Sequence, residues 1–244
     1  MLRIITFHKV RSFDLGGTWN TPKQMESFFA YIVANKIDVI SLSALAADPA
    51  GYLADTDLHL LLTFDDGDDG IYRLLLPMIR THSIPVCVFL ITGFIGRSQS
   101  WDIINSSRQL GWSEIRELRE LGVEFGSHSV THRDLTRLND RELWFELEES
   151  KRVLAGELGS CFAISYPYDR VDNRVIRMAE EAGYRIGFGN KDKPPFSIVR
   201  ERVFRTDTLG SFKIKTNKAD SLLLRWERFK ARVINIFSIA SMKR

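Results

Sequence analysis

Two short words in this 244-residue chain, Thr63-Phe64-Asp65-Asp66-Gly67 and His128-Ser129-Val130-Thr131-His132, hold two adjacent carboxylates and two imidazoles four residues apart. These are donors that a divalent ion accepts, and one Asp with two His makes a three-ligand site with positions left open for water. An open position separates catalytic from structural zinc, so the chemistry indicated is metal-assisted hydrolysis. Imidazoles at i and i+4 project to one side when the residues between them make a helical turn, which is therefore expected over 128–132. Gly67 gives the backbone freedom directly behind the acids.

Such side chains need elements that bring them together. Over 58–64 the apolar residues run continuously through Leu60, Leu61 and Leu62, the pattern of a parallel strand covered on both faces, and the acids then sit at its end. The histidine word follows a shorter strand-like run at 123–125. Similar runs lie at 3–7, 85–91, 162–165, 185–188 and 198–204. Helices fill the gaps. Thr21-Pro22-Lys23-Gln24 reads as a capped start to a helix reaching about Asn35, Ser113-Glu114 opens another, and 139–158 is the longest in the body, with Leu143, Leu147 and Leu154 inside it. Alternation of this kind indicates a parallel sheet. It does not separate an open doubly wound sheet from a closed barrel, and both place their sites past the C-terminal ends of strands.

At 44% hydrophobic residues, a chain of this length can bury one sizeable core. Cys87 and Cys161 lie far apart in apolar runs and read as buried thiols rather than a disulfide or metal pair. The segment from Met1 to His8 turns polar too early for a signal peptide, so a cytoplasmic location is expected unless processing has removed a leader. Net charge is +3, yet residues 213–244 carry nine Lys/Arg against Asp220 and Glu227, leaving a mildly acidic body over 1–212. With no basic stripe on that body, no nucleic-acid partner is expected. In the tail, Leu222, Trp226, Phe229, Val233, Phe237 and Ala240 recur at helical spacing, with Arg225, Arg228, Lys230 and Arg232 between them. This basic amphipathic helix has two readings: packing on the body or in a dimer, and peripheral attachment to an anionic membrane at the inner face.

Taken with Tyr166-Pro167-Tyr168, the two words resemble in order the first three motifs of the polysaccharide deacetylases, the NodB-homology carbohydrate esterases. Thr6-Phe7-His8-Lys9-Val10 resembles the Tyr-His-x-Val opening of one branch of that family. Trp112 and the run Gly122-Val123-Glu124-Phe125-Gly126-Ser127 resemble the approach to its histidine motif. The resemblance covers about residues 2–212. It implies a catalytic domain over 1–212, built as a distorted (β/α) barrel with fewer strands than a TIM barrel, and the basic helix of 213–244 follows it. It also implies metal-dependent removal of acetyl groups from an N-acetylated glycan. The ion expected is zinc, with cobalt, manganese or nickel as substitutes.

Within that reading, Asp66, His128 and His132 are the ligands and Asp65 is the base, kept ionised by the nearby cation. The plainer alternatives are a turn carboxylate, two loop histidines and a helix cap. By resemblance the backbone N–H of Tyr168, held after Pro167, faces the oxyanion. The chain departs from the family at Asp169, where a Gly is frequent, and before the Pro, where many members have an Arg. Arg202 resembles a late family arginine that would steady the base instead, a surface ion pair being the other reading. No histidine follows His132. His59 precedes its strand and His82 lies between helix and strand, so His8, which alone follows a strand, is the candidate acid. Trp101 and Trp112 either stack on sugar or pack. Asp68 and Asp69 are read as caps of the next helix, not as a calcium loop, since the twelfth position from Asp65 is Leu76. The rival functions are a carbohydrate-binding relative without turnover and a hydrolase of another C–N amide bond.

Overall fold

The computed structural model describes residues 1–14, 18–99 and 107–240, with side chains through residue 234. Seven parallel strands line its main sheet: β1 (Leu2–Phe7), β2 (His59–Phe64), β3 (Cys87–Leu90), β4 (Glu124–Ser127), β5 (Ala163–Ser165), β6 (Ile186–Phe188) and β7 (Glu201–Arg202). Their order is β7-β1-β2-β3-β4-β5-β6, with a short strand Asp38–Val39 beside β2 off this path. One segment joins the two ends. Ile198 pairs in parallel with Phe188 of β6, while Glu201 and Arg202 pair with Ile5 and Thr6 of β1. Residues 198–202 thus bond to both edges of the sheet, and the fold is a distorted (β/α) barrel rather than an open sheet.

Alternation along the strands makes two cores. Ile4, Leu61, Phe89, Ala163, Ile186 and Ile198 pack inside the ring, whose lower end is closed by Leu42, Leu45 and Ala46 of a short helix. Their neighbours Ile5, Leu62, Val88 and Ile164 belong to the other core, shared with the helices outside. Those helices are α1 (Pro22–Ala34), α2 (Leu76–His82), α3 (Trp112–Glu120), α4 (Asp140–Leu158) and α5 (Asn173–Glu181). Capping boxes start α1, through Thr21 and Gln24, and α4, through Asn139 and Glu142. The inward parity then runs upward into polar residues: Thr6 and His8, Thr63 and Asp65, His128, Ser165, Arg200. An apolar plug below and a polar layer above come from the same period of two.

Two helices complete the chain, α6 (Leu209–Lys215) and α7 (Leu222–Ala240). Helix α6 runs across residue 212, where the charge pattern had marked a boundary. Phe212 stacks on Phe28 at 4.3 Å and the Lys215 ammonium is buried against Asp207, so this stretch belongs to the barrel. Cys87 and Cys161 are free and buried.

Candidate active site

Asp65 and Asp66 leave β2 through a sharp turn. Asp66 (φ 70°) and Gly67 (φ 79°) are both left-handed, and a Cβ at Gly67 would come within 2.7 Å of the Leu90 side chain, so glycine adopts this turn without strain or a shift of Leu90. The two histidines do not converge through the helical turn expected of their spacing. Ser129 (φ 67°) and His132 (φ 61°) are left-handed, and side chains hold the bend instead. Ser129 accepts from the His132 N–H at 3.0 Å. The buried carboxylate of Glu146, on α4, accepts from the Val130 and Thr131 N–H groups at 2.8 and 2.9 Å and from the Thr131 hydroxyl.

The donor atoms of Asp66, His128 and His132 lie within 4.8 Å of one another, all three residues buried. His128 Nδ1 is 2.6 Å from the Ser165 carbonyl, which can only accept, so that nitrogen carries the proton and Nε2 offers a lone pair. Both Nε2 atoms stand 3.4 Å from the same oxygen, Asp66 Oδ1, too far for good hydrogen bonds, and this buried oxygen has no other partner. A carboxylate oxygen orphaned between two imidazole nitrogens fits a divalent ion. Burial takes His132 down to about 4 against the opposing pull of Asp66, which keeps it neutral as a ligand must be. At Asp66 burial pushes upward, but His128 and His132 outweigh it and hold the carboxyl below its usual range.

Beside this cluster lies a ladder of alternating charge. Arg200 grips both oxygens of Asp65, at 2.9 and 2.8 Å, and Ser165 donates to Asp65 at 3.0 Å. Arg200 also pairs with Asp169, which accepts from Arg202 Nε at 2.7 Å. The guanidinium on Asp65 therefore belongs to Arg200, not to Arg202. Both share the inward parity, Val199 and Glu201 facing out, but Arg200 starts deeper in the ring and Arg202 reaches only the rim partner. Asp169 stands where a Gly was expected and occupies that left-handed position (φ 55°) as an anchor for both arginines. Burial raises Asp65 most, yet Arg200 and then His128 and His8 bring it below the ordinary carboxylate value, so it is ionised at neutral pH.

His8 lies at the mouth, its buried Nδ1 without a hydrogen-bond partner. Burial lowers its proton affinity, against Asp66 and Asp65. Tyr168 (φ 60°) follows the buried Pro167 and brings its ring 4.7 Å from that of His132, beside the candidate ligand cluster. Trp112, read as either a sugar contact or packing, is partly buried against the outer core, and Trp101 lies outside the described residues. Asp68 does accept from Gly70 N at 2.9 Å, but it is chiefly an ion-pair partner of Arg11, and Asp69 pairs with Arg11 and Arg73 rather than capping. Glu146 was missed altogether, although an acid on the same helical face as Leu143, Leu147 and Leu154 was a readable signal.

A family model described as polysaccharide deacetylase matches residues 54–187. YxkH of Bacillus subtilis (strain 168) is 22% identical over 210 residues, which cover 83% of this chain and 71% of YxkH. The poly-beta-1,6-N-acetyl-D-glucosamine N-deacetylase of Staphylococcus aureus (strain MRSA252) is 26% identical over 142 residues, 54% of this chain and 48% of that protein. The chain thus spans about half the length of the staphylococcal enzyme. Among solved structures, the Streptococcus pyogenes deacetylase PplD in complex with acetate has a TM-score of 0.77 at 18% identity, covering 88% of this chain and 98% of PplD. IcaB from Ammonifex degensii has a TM-score of 0.71 at 19% identity, covering 86% and 93%. These structural likenesses speak to the fold.

Proposed function

The chain belongs to the polysaccharide deacetylase family, and from that premise we propose that it is a metal-dependent hydrolase removing N-acetyl groups from an amino sugar in a polysaccharide, oligosaccharide or lipid-linked glycan. The observation that carries this reading is the orphaned Asp66 oxygen between His128 and His132, with the ionised Asp65 beside it. When bound there, a divalent ion, zinc before cobalt, manganese or nickel, supplies Lewis acidity toward a carbonyl oxygen and acidifies water near neutral pH.

The chain's own residues do the rest. Asp65 accepts the proton of the attacking water, with Arg200 and Ser165 fixing the direction of its oxygens. The backbone N–H of Tyr168 donates to the oxygen that gains charge in the tetrahedral intermediate. His8 protonates the departing amine; the burial that weakens its hold on a proton makes it a strong acid once charged. Poly-β-1,6-linked N-acetylglucosamine, the substrate named for the staphylococcal relative, is the first glycan to try. Acetate should be released from N-acetylated oligomers, abolished by a chelator and restored by zinc or cobalt. Tight metal and glycan binding with no acetate from any such oligomer would leave a binding protein without turnover as the better account.

A further inference from the structure

Helix α7 meets the barrel on one face and turns a different, apolar face to solvent. Leu224 and Ala231 are buried, Glu227 is buried with Lys230 at 2.8 Å, and Arg228 donates to Glu201 of β7 at 2.8 Å. On the far side, Leu222 (80% exposed), Trp226 (58%), Phe229 (55%) and Val233 (37%) follow at spacings of four, three and four, one stripe along three turns. Trp226 and Phe229 stack on each other, centroids 5.6 Å apart. The expected packing of this last helix on the barrel is thus observed, and it is made by a face other than the exposed stripe.

At 100° per residue, Arg225 and Arg232 fall along one flank of the stripe and Lys230 along the other. Among the described residues, neither Arg225 nor Arg232 is in an ion pair. Four large apolar side chains in one exposed row are a surface made for burial. A second copy docked by a two-fold axis would set basic flank against basic flank, the Arg225 and Arg232 side meeting either itself or the Lys230 side. A bilayer carrying anionic lipid accepts both features, rings and aliphatic chains at the acyl boundary and guanidinium groups among phosphates. Among the described residues no helix is long and apolar enough to cross a membrane. We infer that α7 lies flat on an anionic bilayer surface, with Leu222, Trp226, Phe229 and Val233 buried in the interface and Arg225 and Arg232 at its headgroups.

Because α7 is docked on the barrel, the test uses point substitutions in the full chain rather than truncation. Flotation with vesicles of phosphatidylcholine alone and with phosphatidylglycerol added should show binding only to the anionic ones. Arg225→Gln/Arg232→Gln should weaken that binding on the order of fivefold per arginine. Trp226→Ser/Phe229→Ser should weaken it at least about tenfold. Unchanged melting temperatures would show that both variants fold. Absence of binding to anionic vesicles, equal binding to neutral ones, or binding indifferent to both variants overturns the inference. So does a concentration-dependent dimer, seen by sedimentation, that Trp226→Ser/Phe229→Ser abolishes; it would assign the stripe to a second copy.

Discussion

Histidine meets carboxylate at both ends of the barrel, with opposite results. At the lower end, His59 Nδ1 is 2.6 Å from Asp38 and Nε2 is 2.8 Å from Asp55, while His82 lies 2.9 Å from Glu26. Every one of these nitrogens has its own oxygen, and the carboxylates stand in water. At the mouth two imidazoles share one buried oxygen at 3.4 Å each. The first arrangement is complete as it stands; the second leaves a buried carboxylate oxygen without a hydrogen-bond partner. The same pair of residue types thus makes an ordinary surface contact or a candidate metal site, depending on burial and on how many nitrogens converge on one oxygen.

The comparison breaks most visibly if the mouth loses a ligand. His132→Ala leaves two protein ligands, so purified protein should lose its bound divalent ion on dialysis, and acetate release should fall by about 10³-fold or more. Unchanged metal stoichiometry would remove His132 from the ligand set. Asp65→Asn separates base from ligand. It should keep the ion and yet lose about 10²–10⁴-fold in turnover. His8→Ala should cost more on amides than on activated esters, whose leaving groups need no proton; equal losses on the two would take His8 out of the acid role.

What made the mouth legible was local. Asp65-Asp66-Gly67 and the histidine pair sit directly after strand-like runs, and the inward parity of a barrel strand carries them to one place. Arg200 was illegible for a specific reason. Arg200 and Arg202 share parity, and the choice between them depends on how deep each starts in a ring whose closure through Ile198 and Phe188 no local pattern reveals. The bend over 128–132 failed for another, since i, i+4 spacing fits a helical turn equally well and Glu146, which decides against it, comes from a different element. The tail was legible as amphipathic, but not which of its faces the barrel covers.

Glu146 offers a subtler test of the same contrast, because it holds the segment between the two histidines, through the Val130 and Thr131 N–H groups and the Thr131 hydroxyl. Glu146→Leu should weaken metal affinity about 10–100-fold, the range for lost supporting contacts. Glu146→Gln keeps an acceptor for the two N–H groups and can meet the Thr131 hydroxyl, so it should recover most of that affinity. A fall in melting temperature with unaltered metal affinity would make Glu146 a stability residue only.

The smallest effect belongs to the lower end, and its sign distinguishes the two. Hydrogen bonds that His59 donates to Asp55 and then to Asp38 raise its proton affinity above its ordinary value. A group whose folded value is raised contributes its stability in full below the unfolded pKa, about 6.5, and loses it as pH climbs through the folded value. His59→Gln should therefore lower the melting temperature by roughly 1–3 °C at pH 5.5, in keeping with a partly exposed pair. That difference should shrink as pH rises through the raised folded value. Metal content and acetate release should not change, since nothing at that end awaits an ion. Asp65 and Asp169, with folded values below the ordinary range, act in the opposite sense. Their contribution is present at neutral pH and is lost as pH falls below about 4. If His59→Gln instead removed metal or activity, the two ends would be coupled, and the division between a self-satisfied pair and an ion-requiring one would fail.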